Sequence, residues 1–160
     1  MIRAVLSIGS NVGDRAAHLR TAVAEFADVL VEVSPVYETP PWGGVEQEPY
    51  LNAALLVAGD HTAAEWLGRA HAAETAAGRE RAVRWGPRTL DVDIVHIDGV
   101  VSDTPQLRLP HPRAHQRAFV LLPWLDVDPA ATLSGRALSY WLSTVDSTGI
   151  RCRDDVVIRA

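Results

Sequence analysis

The chain of 160 residues contains no lysine, because all 15 of its basic residues are arginine. This absence excludes chemistry through a lysine Schiff base, and it excludes the phosphate-binding loop that ends in Gly-Lys-Ser or Gly-Lys-Thr. Any phosphate that the protein binds must therefore meet arginine. Arginine is a planar cation that stays charged at working pH and can contact two phosphate oxygens at once.

Cysteine and long apolar runs are scarce as well. The lone cysteine, Cys152, cannot form an internal disulfide, so we expect a partly buried thiol in a reducing compartment, the cytoplasm. No apolar run approaches the ~18 residues of a membrane span, and the N-terminus shows no signal-peptide layout. A net charge of -5 disfavours nucleic acid as a partner. We expect one soluble, monomeric domain over residues 1–160, without nucleic-acid or membrane partners.

The apolar pattern predicts strands and helices in alternation. The predicted elements are a strand over 2–8, a helix after Asp14 whose apolar stripe reaches Leu30, an edge strand over 31–37, a strand over 50–58, a helix from Thr62 to Gly78 and a strand over 88–97. This β-α-β-β-α-β order is that of a ferredoxin-like α+β fold, an α/β sandwich in which helices pack on both faces of an antiparallel sheet.

Beyond residue 97 the pattern is less regular. Asp98-Gly99 predicts a hairpin that returns the chain through Val100 and Val101. Two short helices are predicted over 117–125, bent or ended by Pro123, and over 136–145, and a last strand is predicted within 149–160. The stretches 39–49 and 79–87 are rich in proline, glycine or charge and are predicted to be exposed loops.

Asp91 and Asp93 lie two apart in a predicted strand, so both carboxylates are expected on one face and Leu90, Val92 and Ile94 on the other. Two close carboxylates need a cation between them, and a hard ion such as Mg²⁺ prefers oxygen ligands and leaves positions for substrate phosphate. A solvated strand face is the alternative interpretation of this short motif.

Arginines concentrate just before the two aspartates. Arg79, Arg81, Arg84 and Arg88 lie within ten residues, opposed only by Glu80, and a second cationic segment runs from His111 to Arg117. A nucleoside triphosphate site predicts this adjacency, because metal and arginine together neutralise charge on phosphate oxygens. A loop that is merely solvated would not require the arginines to lie next to the aspartates.

The loop that begins Thr39-Pro40-Pro41-Trp42 and is followed by Tyr50 and Asn52 combines a stiff backbone with aromatic faces and a side-chain amide. Aromatic faces stack on a planar heterocycle, and an asparagine amide offers a donor and an acceptor side by side. The loop therefore predicts a pterin or purine site, although Tyr50 could equally be a core residue.

The chain resembles the 6-hydroxymethyl-7,8-dihydropterin pyrophosphokinase family over nearly its whole length. The most specific match is the run RWGPRTLDVDIV from Arg84 to Val95. Supporting matches, in the same order as in the family, are Gly9-Ser10-Asn11, Tyr37-Glu38-Thr39-Pro40-Pro41, Tyr50-Leu51-Asn52-Ala53 and Leu109-Pro110-His111-Pro112.

The resemblance implies transfer of the β and γ phosphates together from ATP to the hydroxymethyl oxygen of the dihydropterin, releasing AMP in a step of folate biosynthesis. It also implies roles for individual residues. Asp91 and Asp93 would bind two Mg²⁺ ions and, with Arg81 and Arg88, form the catalytic set; ATP would contact Glu74, Arg79, Arg81, Arg84, Trp85, Arg88, Ile94, His111 and Arg117; the pterin would contact Thr39, Pro40, Pro41, Trp42, Tyr50, Asn52 and Phe119.

Two other functions fit parts of the sequence. A two-metal nucleotidyltransferase also pairs a Gly-Ser turn with Asp-x-Asp, but Ser10 and Asp91 are far apart in sequence for its compact strand-turn-strand unit. A nucleotide-sensing module without catalysis would bind ATP and give no product. Gln106 stands where some relatives carry arginine, which is a departure from the family's ATP contacts.

Overall fold

Two long strands, β1 (Ile2–Ser10) and β4 (Tyr50–Gly59), pair antiparallel at the centre of the sheet in the computed structural model, which describes residues 1–40, 48–78 and 89–159. Both strands are buried along most of their length, which is why their sequences are almost continuously apolar. The other edge of β1 pairs with β5 (Asp91–Ile97), also antiparallel.

The outer edge of β4 carries two short strands end to end, β2 (Leu30–Val33) and β3 (Tyr37–Thr39). The sequence predicted one strand over 31–37, and Leu30 was expected to continue the first helix. Both expectations are wrong, because the chain breaks at Ser34 and Pro35 and Leu30 already pairs with Val57 of β4.

Helices α1 (Arg15–Glu25) and α2 (Ala63–Ala76) begin at the predicted caps, and α2 ends just before the predicted Gly78, whereas α1 ends at Glu25, short of the predicted Leu30. The Asp14 side chain accepts a hydrogen bond from the backbone N–H of Ala17 at 3.1 Å, and Thr62 forms a reciprocal capping box with Glu65. Gly78 follows α2 with a φ of +74°, a conformation that glycine adopts without steric cost.

Apolar side chains cover both faces of the sheet. On one face, alternate β1 residues such as Leu6 and Ile8 pack against Phe26 and against Trp66 of α2. On the other face, Val5 packs with Trp124 of α3 (Ala118–Val127). The predicted α+β fold, with an antiparallel sheet and helices on both faces, is confirmed.

Several predictions after residue 97 need correction. Gly99 makes a turn, but the chain does not return along β5, since β6 (Ser102–Asp103) pairs with β7 (Arg108–Leu109). Helix α3 continues through Pro123 to Val127. The predicted helix over 136–145 is shorter, and the remaining elements are β8 (Thr132–Leu133), β9 (Arg136–Ala137), α4 (Leu138–Ser143) and β10 (Arg151–Cys152).

The predicted last strand is β10, which is only two residues long and pairs with β3 at the edge of the sheet. Cys152 was expected to be partly buried, but it is exposed because it lies on this outermost strand. Within the described ranges, no helix has the length and apolar character needed to span a bilayer.

Candidate active site

One row of residues crosses the second face of the sheet. Tyr37 of β3, Asn52 of β4, Gly9 of β1 and Asp91 of β5 are successive partners in the strand register. Because neighbouring strands lie about 4.8 Å apart, the backbones at Asn52 and Asp91 are about 10 Å apart, with Gly9 between them. The sheet therefore presents the predicted pterin-contacting and metal-binding residues on one surface.

Asp91 and Asp93 project from this same face, as the two-residue period predicted. Asp91 is half-buried and Asp93 is exposed, whereas Val92 and Ile94 between and beyond them are buried in the opposite core. The alternation arises because Val92 and Ile94 are buried in the core beneath α2, and this burial fixes the direction in which the carboxylates point.

Glu74 ties the aspartate strand to helix α2. Its carboxylate is 5% exposed and accepts a hydrogen bond from the backbone N–H of Val92 at 3.0 Å. Val92 lies between the two aspartates, so this bond fixes the backbone that carries them. A buried carboxylate is costly unless it is hydrogen-bonded, and the Val92 N–H supplies one such partner.

A cleft of about 330 Å³ opens beside the aspartates, and we call it the aspartate cleft. Its walls come from α2, from β5, from the β6–β7 connection and from the segment after β7. The lining residues are Leu67, His71, Glu74, Asp91, Val92, Asp93, Ile94, Pro105, Gln106, Leu107, Arg108, His111 and Pro112.

His111 enters the cleft because its backbone N–H donates to the carbonyl of Val95 at 2.8 Å, where β5 carries a bulge. Burial lowers the pKa of His111, and the charges of Arg117 and Arg113 lower it further, against the opposing effect of Asp93. The lowered pKa favours the neutral imidazole. Its Nδ1 accepts from the backbone N–H of Arg113 at 3.2 Å, so the proton resides on Nε2, which is a donor.

Arg117 lies between the aspartates and Phe119. Burial lowers the pKa of its guanidinium, while the nearby charges of Asp93 and Asp91 raise it. Arginine remains a cation under any such shift. Its guanidinium carbon lies 5.5 Å from the centre of the Phe119 ring, so a cation that is influenced by the charges of both aspartates also lies over an aromatic face.

Asn52 and Thr39 form a buried polar pair. The Asn52 amide nitrogen donates to the Thr39 hydroxyl at 2.7 Å, and both residues are nearly inaccessible to solvent. A Cβ atom on Gly9 would lie only 2.6 Å from the Asn52 Oδ1 atom. The amide therefore keeps its position because residue 9 has no side chain.

A second pocket, of about 610 Å³, is lined in part by Thr39 and Pro40, and we call it the tail pocket. The predicted site residues Thr39, Pro40, Arg117 and Phe119 form one part of its lining. The remainder consists of Arg113, Gln116, Ala118, Asp146, Thr148 and Ile150.

The structure thus brings Glu74, Asp91, Asp93, Ile94 and His111 together in one cleft, with Arg117, Phe119, Thr39 and Pro40 beside it. Tyr50 and Asn52 share the face of the sheet that carries the aspartates, and Tyr50 is half-buried. The other predicted site residues, Pro41, Trp42, Arg79, Arg81, Arg84, Trp85 and Arg88, lie outside the described residues.

The sequence allows His71 to face the same site as Glu74 but favours an ordinary helix-surface histidine, and the structure places His71 in the lining of the aspartate cleft. The signal was its position three residues before Glu74, which places the two on one face of α2. Asp146, Thr148 and Ile150 were missed, and no motif in the sequence points to them. Ser10 and Asp91 lie on adjacent strands, β1 and β5, but α1, β2, β3, β4 and α2 separate these strands along the chain, so they do not form the compact strand-turn-strand unit of a nucleotidyltransferase.

The sequence profile of the family described as 7,8-dihydro-6-hydroxymethylpterin-pyrophosphokinase matches residues 5–129. A 2-amino-4-hydroxy-6-hydroxymethyldihydropteridine pyrophosphokinase of Mycobacterium tuberculosis is 52% identical over 145 residues, covering 84% of this chain and 77% of that protein. The enzyme of the same name from Methylorubrum extorquens is 38% identical over 154 residues, covering 94% of this chain and 98% of that protein.

Solved structures resemble the chain in fold. The wild-type HPPK-DHPS of Plasmodium falciparum superposes with a TM-score of 0.63 at 13% identity. The match covers 90% of this chain and 43% of that one, so the chain spans less than half of that longer protein. Taken with the sequence matches, these findings place the chain in the 7,8-dihydro-6-hydroxymethylpterin-pyrophosphokinase family, the ATP-dependent diphosphokinases of folate biosynthesis.

Proposed function

We propose that the chain transfers the β and γ phosphates of ATP to the hydroxymethyl group of 6-hydroxymethyl-7,8-dihydropterin across the face of the sheet that carries Asn52, Gly9 and Asp91. The observation that carries this proposal is the register of that row, with a heterocycle-binding amide at one end and a carboxylate at the other. The separation of about 10 Å leaves room for the reacting groups between ring and metal.

ATP would occupy the aspartate cleft. Leu107 would supply apolar wall for the adenine, and Ile94, whose side chain is buried in the opposite core, would contact it through its backbone. Glu74 and His71 would supply polar groups on α2. The triphosphate would then extend toward Asp91 and Asp93. Gln106 lines the cleft where some relatives carry arginine, so in this chain the contact at that position would be made by an uncharged amide.

The donor set fits magnesium. Asp91 and Asp93 offer only oxygen, and no group of three or more His, Cys, Asp or Glu side chains suited to a metal occurs in the described part of the chain. Mg²⁺ commonly takes one or two carboxylates and completes its octahedron with water and phosphate oxygens. When bound, two such ions would neutralise the triphosphate and polarise the β-phosphorus.

Cationic and donor groups of the chain would hold the phosphates. Arg117, between the aspartates and Phe119, would contact phosphate oxygens, and His111 would donate from Nε2. Arg81 and Arg88 would clamp the transferred group, assisted by Arg79, Arg84 and Trp85. A bidentate guanidinium suits this task, and its charge is most effective where water is partly excluded.

The pterin would lie against Asn52, whose amide is oriented by Thr39. Tyr50 and Phe119 would stack on the ring, with Pro40, Pro41 and Trp42 closing the loop side. In the reaction, the hydroxymethyl oxygen would bond to the β-phosphorus as that atom's bond to the bridging oxygen of AMP breaks, and the hydroxyl proton would leave to solvent. Positioning and charge neutralisation supply most of the acceleration, as expected where phosphoryl transfer leaves little covalent work to the protein.

We further propose that the chain works in the cytoplasm as a single-domain monomer. Large exposed apolar side chains in the described part of the chain lie on different elements, among them Val31 of β2, Tyr140 of α4 and Val157 of the tail. Scattered residues of this kind do not require a partner surface.

The metal proposal is tested by Asp91→Asn and Asp93→Asn, which keep side-chain size and remove the charge. Each should lower the rate of AMP formation by roughly 10²- to 10³-fold, because removing one group that stabilises transition-state charge typically costs this much. Asp98→Asn, in an exposed turn at the far end of β5, is the matched control and should keep the wild-type rate. Near-normal turnover in both Asp91→Asn and Asp93→Asn would contradict the metal assignment.

A further inference from the structure

The segment 146–153 lies beyond residues 5–129, the part of the chain that the family profile covers. It nevertheless returns to the proposed pterin site. Within it β10 pairs with β3, so that Arg151 is opposite Glu38 and Cys152 is opposite Tyr37. Thr39, which orients the Asn52 amide, follows Glu38 directly.

Glu38 is held by arginines of this segment. Its Oε1 accepts from Arg151 at 2.8 Å and its Oε2 accepts from Arg153 at 2.7 Å, and Arg15 approaches Oε2 at 3.5 Å. The side chains of Glu38 and Arg153 are 18% and 24% exposed, so this ion pair is less screened by solvent than an ordinary surface pair, whereas Arg151 is 65% exposed. Arg153 also donates its backbone N–H to the carbonyl of Val36 at 2.7 Å.

Gly149 contacts Pro40, the first proline of the stretch 39–49, which we call the pterin loop. Its φ is +85°, and a Cβ atom on it would lie 3.0 Å from Cγ of Pro40, a closer approach than side chains normally make. The backbone of the tail therefore packs directly on Pro40. The neighbouring residues Asp146, Thr148 and Ile150 line the tail pocket with Thr39 and Phe119.

The far end of the loop is also fixed to the body of the protein. Arg15 of α1 donates to the carbonyl of Pro49 at 2.9 Å, and Asn11 donates to the carbonyl of Glu48 at 3.2 Å. Since Arg15 also approaches Glu38, one guanidinium connects the residues on either side of the loop. The tail is thus the element that holds the entrance to the loop, and Arg15 with Asn11 holds its exit.

We propose that residues 146–153 are a positioning element of the pterin site. Gly149 and the ion pairs from Arg151 and Arg153 to Glu38 fix Thr39 and Pro40, and through Thr39 they fix the Asn52 amide. The segment thereby sets affinity for the pterin and leaves the ATP side of the site unaffected. This inference rests on the proposed pterin site, and its test separates the two.

The direct test compares Gly149→Ala with Gly135→Ala. Gly135 has a φ of +79°, so alanine there meets the same backbone strain, but nothing lies within 4 Å of its added Cβ. The equilibrium Kd of hydroxymethyldihydropterin is measured with Mg²⁺ and a non-hydrolysable ATP analogue, and the Kd of the analogue is measured separately. Gly149→Ala should weaken pterin binding about tenfold and change analogue binding by no more than about twofold, since small misplacements of positioned groups are costly.

Arg153→Gln against Arg159→Gln is the second pair, which decides the question if Gly149→Ala does not fold. Arg159 lies further along the chain, beyond the segment 146–153, and its guanidinium pairs with the Glu32 carboxylate at 2.6 Å, away from the loop. Arg153→Gln should weaken pterin binding by about threefold or more, and Arg159→Gln should leave it unchanged.

The positioning role would be overturned if each variant bound the pterin as tightly as its control. It would also be overturned if the variant weakened binding of the pterin and of the ATP analogue to the same extent. Asn52→Ala distinguishes failure of the proposed pterin site from failure of the positioning role alone. If Asn52→Ala binds the pterin normally, the proposed pterin site is wrong. If Asn52→Ala loses pterin affinity while Gly149→Ala and Arg153→Gln behave like their controls, only the role of the tail is wrong.

Discussion

Gly9 shows how much a single missing side chain can determine. It lies between Asn52 and Asp91 in the row that crosses the sheet, and an added Cβ would lie 2.6 Å from Asn52 Oδ1. The Asn52 amide cannot swing away freely, because its nitrogen is bonded to the Thr39 hydroxyl in a buried setting. Any side chain at residue 9 must therefore disturb the amide that we assign to the pterin.

Gly9→Ala should raise the Kd of the pterin about tenfold and leave ATP binding within about twofold, because the clash lies on the Asn52 side of the row. Gly68→Ala is the control: it adds the same methyl group on α2, where nothing lies within 4 Å of the new Cβ. In a double-mutant cycle, Gly9→Ala should add little to Asn52→Ala, since both changes act through one amide. If the effects of Gly9→Ala and Asn52→Ala on the free energy of pterin binding were fully additive, this mechanism would be contradicted.

For single residues, the sequence predicts features that depend on the two-residue alternation within a strand. It does not predict contacts that depend on how distant strands align. The shared face of Asp91 and Asp93 follows from two-residue alternation and is confirmed. The closeness of Gly9 to Asn52, and of Gly149 to Pro40, depends on how distant strands align. No local pattern reports such alignment, so these contacts could not be predicted.

The caps that begin α1 and α2 are local features and were predictable, whereas the end of α1 and the break between β2 and β3 were not. Ser34 accepts from the backbone N–H of Ala54 with its hydroxyl oxygen and donates its own backbone N–H to the Ala54 carbonyl. Its side chain thus replaces a backbone partner and lets the chain turn at Pro35 while remaining attached to β4. The turn after β5 was predicted, but its pairing was not: Ser102 and Thr104 both donate to the Leu107 carbonyl and close β6 on β7.

The ion pairs on Glu38 make the attachment of the tail dependent on pH. The hydrogen bond from Arg151 holds the pKa of Glu38 below its ordinary value of 4.5, assisted by the charges of Arg151, Arg153 and Arg15 and opposed by burial. A lowered folded-state pKa means that the stabilisation is present above the unfolded-state pKa and is lost as the pH falls through the folded-state pKa.

Glu38→Gln removes this titration and should be less stable than the wild type at neutral pH. The difference in free energy of unfolding should shrink as the pH falls below about 4.5. Urea unfolding of both proteins from about pH 7 to about pH 3 measures it. A difference that stays constant, or grows toward acid pH, would show that the ion pairs do not stabilise the fold in this way.

The whole molecule combines an acidic balance with a cationic site. Its net charge is -5, yet eight of its 15 arginines fall between Arg69 and Arg117, around the two aspartates. The net negative charge disfavours nucleic acid, whereas a small polyphosphate would meet the arginines and the metal that we propose for the site. The absence of lysine thus restricts the means of phosphate recognition without preventing it.

The most direct test of the central claim is the identity of the products formed from ATP, Mg²⁺ and 6-hydroxymethyl-7,8-dihydropterin. Product separation should show equal amounts of AMP and a pterin diphosphate, formed by the wild-type protein and nearly absent with Asp93→Asn. Release of ADP would mean that a single phosphate is transferred, and release of inorganic pyrophosphate would mean nucleotidyl transfer. Either result, or the absence of any product from the wild-type protein, would contradict the account.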